Sequence, residues 1–387
     1  MTTTCSMSIR RGASTSNDPV TAVRELAAAL EQPDTRFVLF HCAPEYDLDA
    51  LSVELRKHFA GATVIGCTTA GEITPAGYLR GAVTGLSLAG SSFDVVATRF
   101  DAVGELSATE IMERTKAALT TLETEARQPT RDNTFAFLLI DGLCMREELV
   151  VSTVYRALGN LTVFGGSAGD GTRFQSTHVY VDGAFRRDAA VLLLVQTDRP
   201  FTVFRTQHFV PSADKMVVTE ADPANRIVTE INGVPAGREY ARVLGVAVDE
   251  LTPLVFATHP VMVRVGGQYY VRSIQKVNPD GSLTFFCAID AGIVLTAARG
   301  VDIVEDLEKT FARVRAQVGE PELVIGCDCI LRHLELDREG LKGRVGEILA
   351  RNNVIGFSTY GEQFEAMHVN QTFTGVAIGA ARGPAGS

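Results

Sequence analysis

VIGCTTAGEIT at 64–74 and VIGFSTYGEQF at 354–364 are one pattern written near both ends of the same chain. Each is an apolar run that reaches a glycine, continues through small hydroxyl residues and closes on Gly-Glu. A third version, TVFGGSAGD at 162–170, lies between them and closes on Gly-Asp. Self-similarity of this kind decides the fold before any single motif does, because each copy marks one supersecondary unit.

The flanks repeat as well. The first copy opens with RFVLFHC at 36–42 and a helix-patterned stretch over 48–59, with Leu51, Leu55 and Phe59 on one face. After its Gly71-Glu72 come GAVTGLSLAG and FDVVATRF. The second reads FAFLLIDGL, a helical REELVVSTVYRALG, the Gly169-Asp170 turn, THVYVDGAF and DAAVLLLVQT. The third reads PELVIGCDC, a helical stretch over 332–349, the Gly361-Glu362 turn and HVNQTFTGVAIGA. Helical periodicity alternates with strand periodicity each time. This predicts an α+β fold: mixed sheets built from repeated strand-helix-strand-strand units, with helices on the outer faces. The glycine of each turn permits the close approach or the positive φ that bulky residues forbid, so that the strand bends and turns back beside its partner.

A different region separates the second and third copies. Asp222-Pro223 and Asn232-Gly233 are turn signals, 236–244 reads as a helix, and VMVRVGGQYYVRSIQKV pairs two strands about Gly266-Gly267. From Asp302 a helix carries Val304, Leu307, Phe311 and Val314 on one stripe. The apolar pattern breaks over 196–212. The resulting division is a flexible N-terminus at 1–19, an N-terminal domain at 20–205, a C-terminal domain at 206–380 and a flexible tail at 381–387.

Composition bounds the partners. The 387 residues are 46% hydrophobic and 21% charged, as in ordinary globular domains, and the net charge of −10 with no Lys/Arg run leaves no nucleic-acid footprint. The longest apolar run, at 189–195, falls far short of the roughly 20 residues that cross a bilayer. Seven cysteines without a disulfide-type spacing suit thiols kept reduced in a cytoplasm.

GGSAG at 165–169 matches the nucleophile elbow G-x-S-x-G, but strand-like THVYVDG follows where an elbow needs a helix, so Ser167 reads as a turn residue. CDCILRH sets Cys327, Cys329 and His333 close together without the second pair that zinc requires. Of the seven histidines, His208 stands between Phe204 and Phe209, and His368 opens the last strand beside Met367. Glu72 and Glu362 either face each other as an acid/base pair or cap their own turns.

These segments carry a resemblance. VIGCTTAGEI followed by GAVTGLSLAG resembles the N-terminal half of FIST-domain proteins, and DCILRHLE, VIGFSTYGEQF and HVNQTFTGVAIG resemble the C-terminal half, together covering about residues 20 to 380. The conforming positions are Gly66, Gly71, Glu72, Gly356, Gly361, Glu362, His368, Asn370 and Gln371. The resemblance implies two FIST halves forming a non-enzymatic sensory module, similar to the stand-alone subset that senses nitric oxide through haem b and controls a separate histidine kinase or cyclic-di-GMP protein. On that reading His208, His368 and His259 are the candidate iron ligands, and a homodimer is possible. The alternative is an iron-free FIST sensor for a small organic molecule such as an amino acid, with Gly71, Glu72, Ser167, Gly361, Glu362, Asn370 and Gln371 lining the pocket.

Overall fold

The computed structural model describes residues 8–159 and 161–381. Three of its four sheets share one strand order. In the first, the order is Ile9–Ser14, Val83–Ala89, Thr35–Cys42, Thr63–Thr68, then the hairpin Val179–Val181 and Ala184–Arg186. In the second it is Phe93–Asp101, Ala189–Thr197, Thr134–Ile140, Val163–Ser167, then Glu362–Phe364 and Met367–Val369. The third runs Phe201–Thr206, Phe373–Gly379, Pro321–Cys329, Val354–Thr359, then Glu72–Thr74 and Gly77–Leu79.

In every case the two central strands are parallel and the rest antiparallel. The hairpin always comes from another copy. The first copy gives its hairpin to the third sheet, the third to the second, and the second to the first, which closes a cycle. The mixed α+β architecture expected from the repeats is therefore present, with one difference. The strand does not turn back beside its partner after the glycine turn; it leaves its sheet and completes the neighbouring one.

Burial explains why the first strand of each copy reads as an unbroken apolar run. Phe37 and Leu39, Phe135 and Phe137, and Leu323 and Ile325 point into one central core shared by the three sheets. Their alternates point outward under helices: Val38 and Phe40 beneath Pro19–Leu30 and Leu48–His58, Ala136 and Leu138 beneath Ala108–Glu125 and Glu147–Ala157, and Val324 beneath Ile303–Val318 and Lys342–Arg351. The segment between Phe209–Asp222 and Val294–Gly300 forms the fourth, eight-stranded sheet with its own core around Tyr240, Phe256 and Leu283. Among the described residues no helix is long and apolar enough to cross a membrane.

Three expectations change. Residues 9–14, placed in a flexible lead-in, form a strand because they pair in register with 83–88 and bury Ser14 against the sheet, and Pro19 already opens a helix; residues 1–7 of the lead-in and 382–387, all but the first residue of the tail, lie outside the described residues. The helical stretch at 332–349 is two helices, Ile330–Arg338 and Lys342–Arg351, interrupted at Gly340 with φ 65°. Phe201–Thr206 pairs with Phe373–Gly379, so the chain before 206 already contributes to the C-terminal sheet.

One glycine recurs for a steric reason. Gly66, Gly165 and Gly356 pair with Phe40, Leu138 and Gly326, and a Cβ on any of the three would fall inside 3.0 Å of the paired residue's carbonyl oxygen. Replacing Gly165 or Gly356 by alanine should cost about 3 kcal/mol or more, as overpacking against backbone does. Urea unfolding measures it, and an unchanged midpoint would contradict the close approach.

Candidate functional site

The exchanged turns are held by buried carboxylates. Thr69 donates its hydroxyl to Glu72 Oε1, and Glu72 Oε2 accepts the Ala82 N–H at 3.1 Å. The third copy repeats this: Thr359 donates to Glu362 Oε1, and Oε2 accepts from Thr372 N at 3.3 Å and Thr372 Oγ1 at 2.7 Å. Each glutamate thus ties the start of its hairpin to the strand that follows it, and each is committed to its own turn. Burial pushes Glu72 up to about 7 and Glu362 up to about 8, against the opposing pull of these hydrogen bonds.

The second copy solves the same problem differently. Asp170 accepts the backbone N–H groups of Phe174, Gln175 and Ser176 at 2.8, 2.9 and 2.9 Å, and the Tyr360 hydroxyl donates to it from the third copy. Ser167 is fully buried and accepts from Gln363 Nε2 at 3.0 Å. The next named element after it is the strand Val179–Val181, so the turn lacks the helix of a nucleophile elbow.

Where the turns of all three copies meet, an open cleft of about 460 Å³ forms. The first copy supplies Glu45, Gly71, Glu72 and Arg80, the second Asp170 and Arg173, and the third His333 on helix Ile330–Arg338. Arg173 pairs with Glu45 at 3.2 Å and Arg80 with Asp337 at 3.0 Å. The Arg80, Arg173 and Glu45 side chains are 60%, 45% and 63% exposed, so these contacts exchange readily with water or a ligand.

His333 is different. Its side chain is 1% exposed, its ring lies edge-on to Tyr78 at 5.2 Å, Nδ1 meets Ser358 Oγ at 3.5 Å, and Nε2 makes no hydrogen bond but lies 3.6 Å from Asp337 Oδ2, the carboxylate that also holds Arg80. Burial, with Lys342 beside it, holds its pKa down at about 4, so the ring is neutral at pH 7. Beneath it, Arg332 bonds Asp328 at 2.8 Å, Tyr78 donates to the same carboxylate, and the pair fixes the helix that presents the imidazole.

That network also consumes His208. Arg332 Nη1 donates to His208 Nδ1 at 3.3 Å and His208 Nε2 bonds Glu335 at 2.8 Å in a fully buried site. His259 is exposed at the end of Pro253–Thr258, with Nδ1 engaged by Thr258 at 2.9 Å. His368 is buried with Nδ1 unpartnered, but its ring lies against Gly361, where a Cβ would strike it. Asn370 and Gln371 are buried in the turn that follows, the Asn370 amide without partners and Gln371 Nε2 on the Phe256 carbonyl at 3.4 Å.

Haem needs a free axial nitrogen facing an apolar pocket. None of the three histidines lines the open cleft, and the one with a free nitrogen is packed on backbone, so these residues do not fit the group. Cys327 and Cys329 are buried thiols with raised pKa values, and no group of three metal-ligating side chains occurs among the described residues.

Of the expected pocket residues, the structure brings Gly71 and Glu72 to the cleft and leaves Gly361, Glu362, Asn370, Gln371 and Ser167 buried elsewhere in the turns. Arg80, Arg173 and His333 were not expected there. A strand-helix junction in each copy was the available signal for His333.

The FIST N domain model matches residues 36–234 and the FIST C domain model residues 236–365. No curated protein matches the chain. Among solved structures, the cyanuric acid hydrolase from A. caulinodans aligns over 96% of this chain and 99% of its own at 10% identity and a TM-score of 0.39. A second cyanuric acid hydrolase structure gives the same coverage and identity with a TM-score of 0.36. Likenesses this distant carry neither fold nor activity to this chain.

The pH dependence of stability follows from the buried glutamates. Between the ordinary value of 4.5 and about 8, Glu362 is ionised in the unfolded chain and protonated in the folded one. The folded state then binds more protons, so this group's stabilisation is full below 4.5 and is lost as pH rises towards about 8. Glu362→Gln should flatten the fall in urea midpoint between about pH 5 and about pH 8; an unaltered slope would show that Glu362 ionises normally.

Proposed function

The chain belongs to the FIST family, whose domains imply a sensory, ligand-binding role, and from that premise we propose that it senses a small zwitterionic molecule of the amino-acid class in the open cleft. The observation that carries this is the composition of the cleft: exposed guanidinium groups of Arg80 and Arg173, the Glu45 carboxylate, and the buried neutral His333 ring, gathered from three copies. A carboxylate suits the arginine forks, an ammonium suits Glu45, and the His333 ring lines the cleft between them. The reading is that of a binding protein rather than an enzyme, and it needs no haem.

Binding would bridge the first copy's turn to helix Ile330–Arg338 of the third. A ligand that grips both favours the arrangement in which they are close, and that difference in affinity is what a signal to a separate partner requires. The partner proposed is a histidine kinase or a cyclic-di-GMP signalling protein.

The test is calorimetric titration of an amino-acid panel into the full chain, with Arg80→Ala and His333→Gln. A binder should lose about tenfold in affinity in each variant, equivalent to about 1.4 kcal/mol. Equal affinity in folded variants would remove the cleft from the account, and a Soret band in the purified protein would return haem to it.

A further inference from the structure

The cyclic exchange creates a second, smaller cleft that nothing so far has used. Just as the first copy's turn meets the helix start of the third, the third copy's turn meets the helix start of the second, and here the inserted sheet covers the junction. The cleft has a volume of about 130 Å³. Its walls are aromatic: Phe174 stacks on Tyr360 with centroids 4.4 Å apart, and Phe286 of the insert lies 5.8 Å from Phe174.

One end is charged. Arg226, from the insert, donates to Glu147 at 2.5 Å, to Glu148 at 2.9 Å and to the Phe286 carbonyl at 2.8 Å, with Arg226 and Glu147 nearly buried and Glu148 half-exposed. With two carboxylates on one guanidinium, this end accepts hydrogen bonds and repels anions. Three of the lining residues, Met145, Phe174 and Arg226, hold φ at 54°, 52° and 58°, a conformation that bulky side chains avoid. Such positions are held in place by their surroundings and concentrate at ligand clamps.

We infer that this seam is a second binding site, taking a neutral single-ring aromatic molecule with one hydroxyl or amino group, the ring packed against the stacked Phe174–Tyr360 pair and Phe286 and the donor on Glu147. The size is close: a cavity of about 150 Å³ holds benzene, and this cleft of about 130 Å³ is open at the mouth beside the exposed Met145. Its occupant touches the second copy, the third copy and the insert at once, so it fastens the insert to the body. The site is separate from the open cleft and stands whether or not an amino acid binds there.

Phenol is the probe, titrated into the full chain with ligand-observed saturation-transfer NMR, benzoate serving as the anionic comparison. Phenol should saturate at about 1 mM or tighter, benzoate should not bind, and hydrogen exchange in Leu283–Phe285 should slow on phenol addition. Met145 is 44% exposed, so Met145→Trp narrows the mouth; where its urea midpoint matches the parent's despite the φ of 54° at this position, it should weaken phenol about tenfold or more, whereas Arg80→Ala at the open cleft should leave phenol binding unchanged. Absence of saturable phenol binding, benzoate binding as well as phenol, or a folded Met145→Trp chain that binds phenol as the parent does would each overturn the site.

Discussion

The turn that takes the chain out of one sheet and into the next is the constraint on which the rest of the structure depends. Two strands' worth of residues must leave their own copy and pair with another, and the departure is fixed by a carboxylate buried where it would ordinarily be costly. Glu72 and Glu362 repay that cost through the Thr hydroxyls and backbone N–H groups of their own turns, and Asp170 does the same in the second copy with three backbone groups. Without those bonds each sheet would end two strands early and expose its edge.

Because the exchange is cyclic, one copy's turn is brought against another's helix start, with a loop of the second copy completing the open cleft and the insert completing the seam. The open cleft is one such junction with no cover, and the aromatic seam is another closed over by the insert. The polar network beneath the open cleft, from Tyr78 through Asp328 and Arg332 to His208 and Glu335, links residues from separate parts of the chain and holds His333 in a fixed orientation. A buried ring flanked by exposed arginines is a suitable arrangement for recognising a small charged molecule.

Much of this was legible in the residues. The three copies, the helix at 236–244 and the stripe from Val304 to Val314 appear in the structure where the periodicity placed them, since a buried strand or an amphipathic helix writes its environment into its own sequence. The destination of the hairpins was not, because a three-residue strand such as Glu72–Thr74 pairs with whichever edge is presented, and its sequence does not say whose. The site suffered likewise. His208 looked available beside two phenylalanines, yet its partners Arg332 and Glu335 lie on a helix distant in sequence. His333 looked like part of a thiol cluster, but the helix turns it away from the buried Cys327 and Cys329 and into a cleft whose other walls come from the first and second copies.

The most direct test of the account is the native mass spectrum of the freshly purified full chain. The account predicts that adding the best-binding amino acid produces a one-to-one complex that is lost in Arg80→Ala, with no porphyrin mass released on denaturation. A porphyrin released from the parent chain, or a complex that Arg80→Ala retains undiminished, would contradict it.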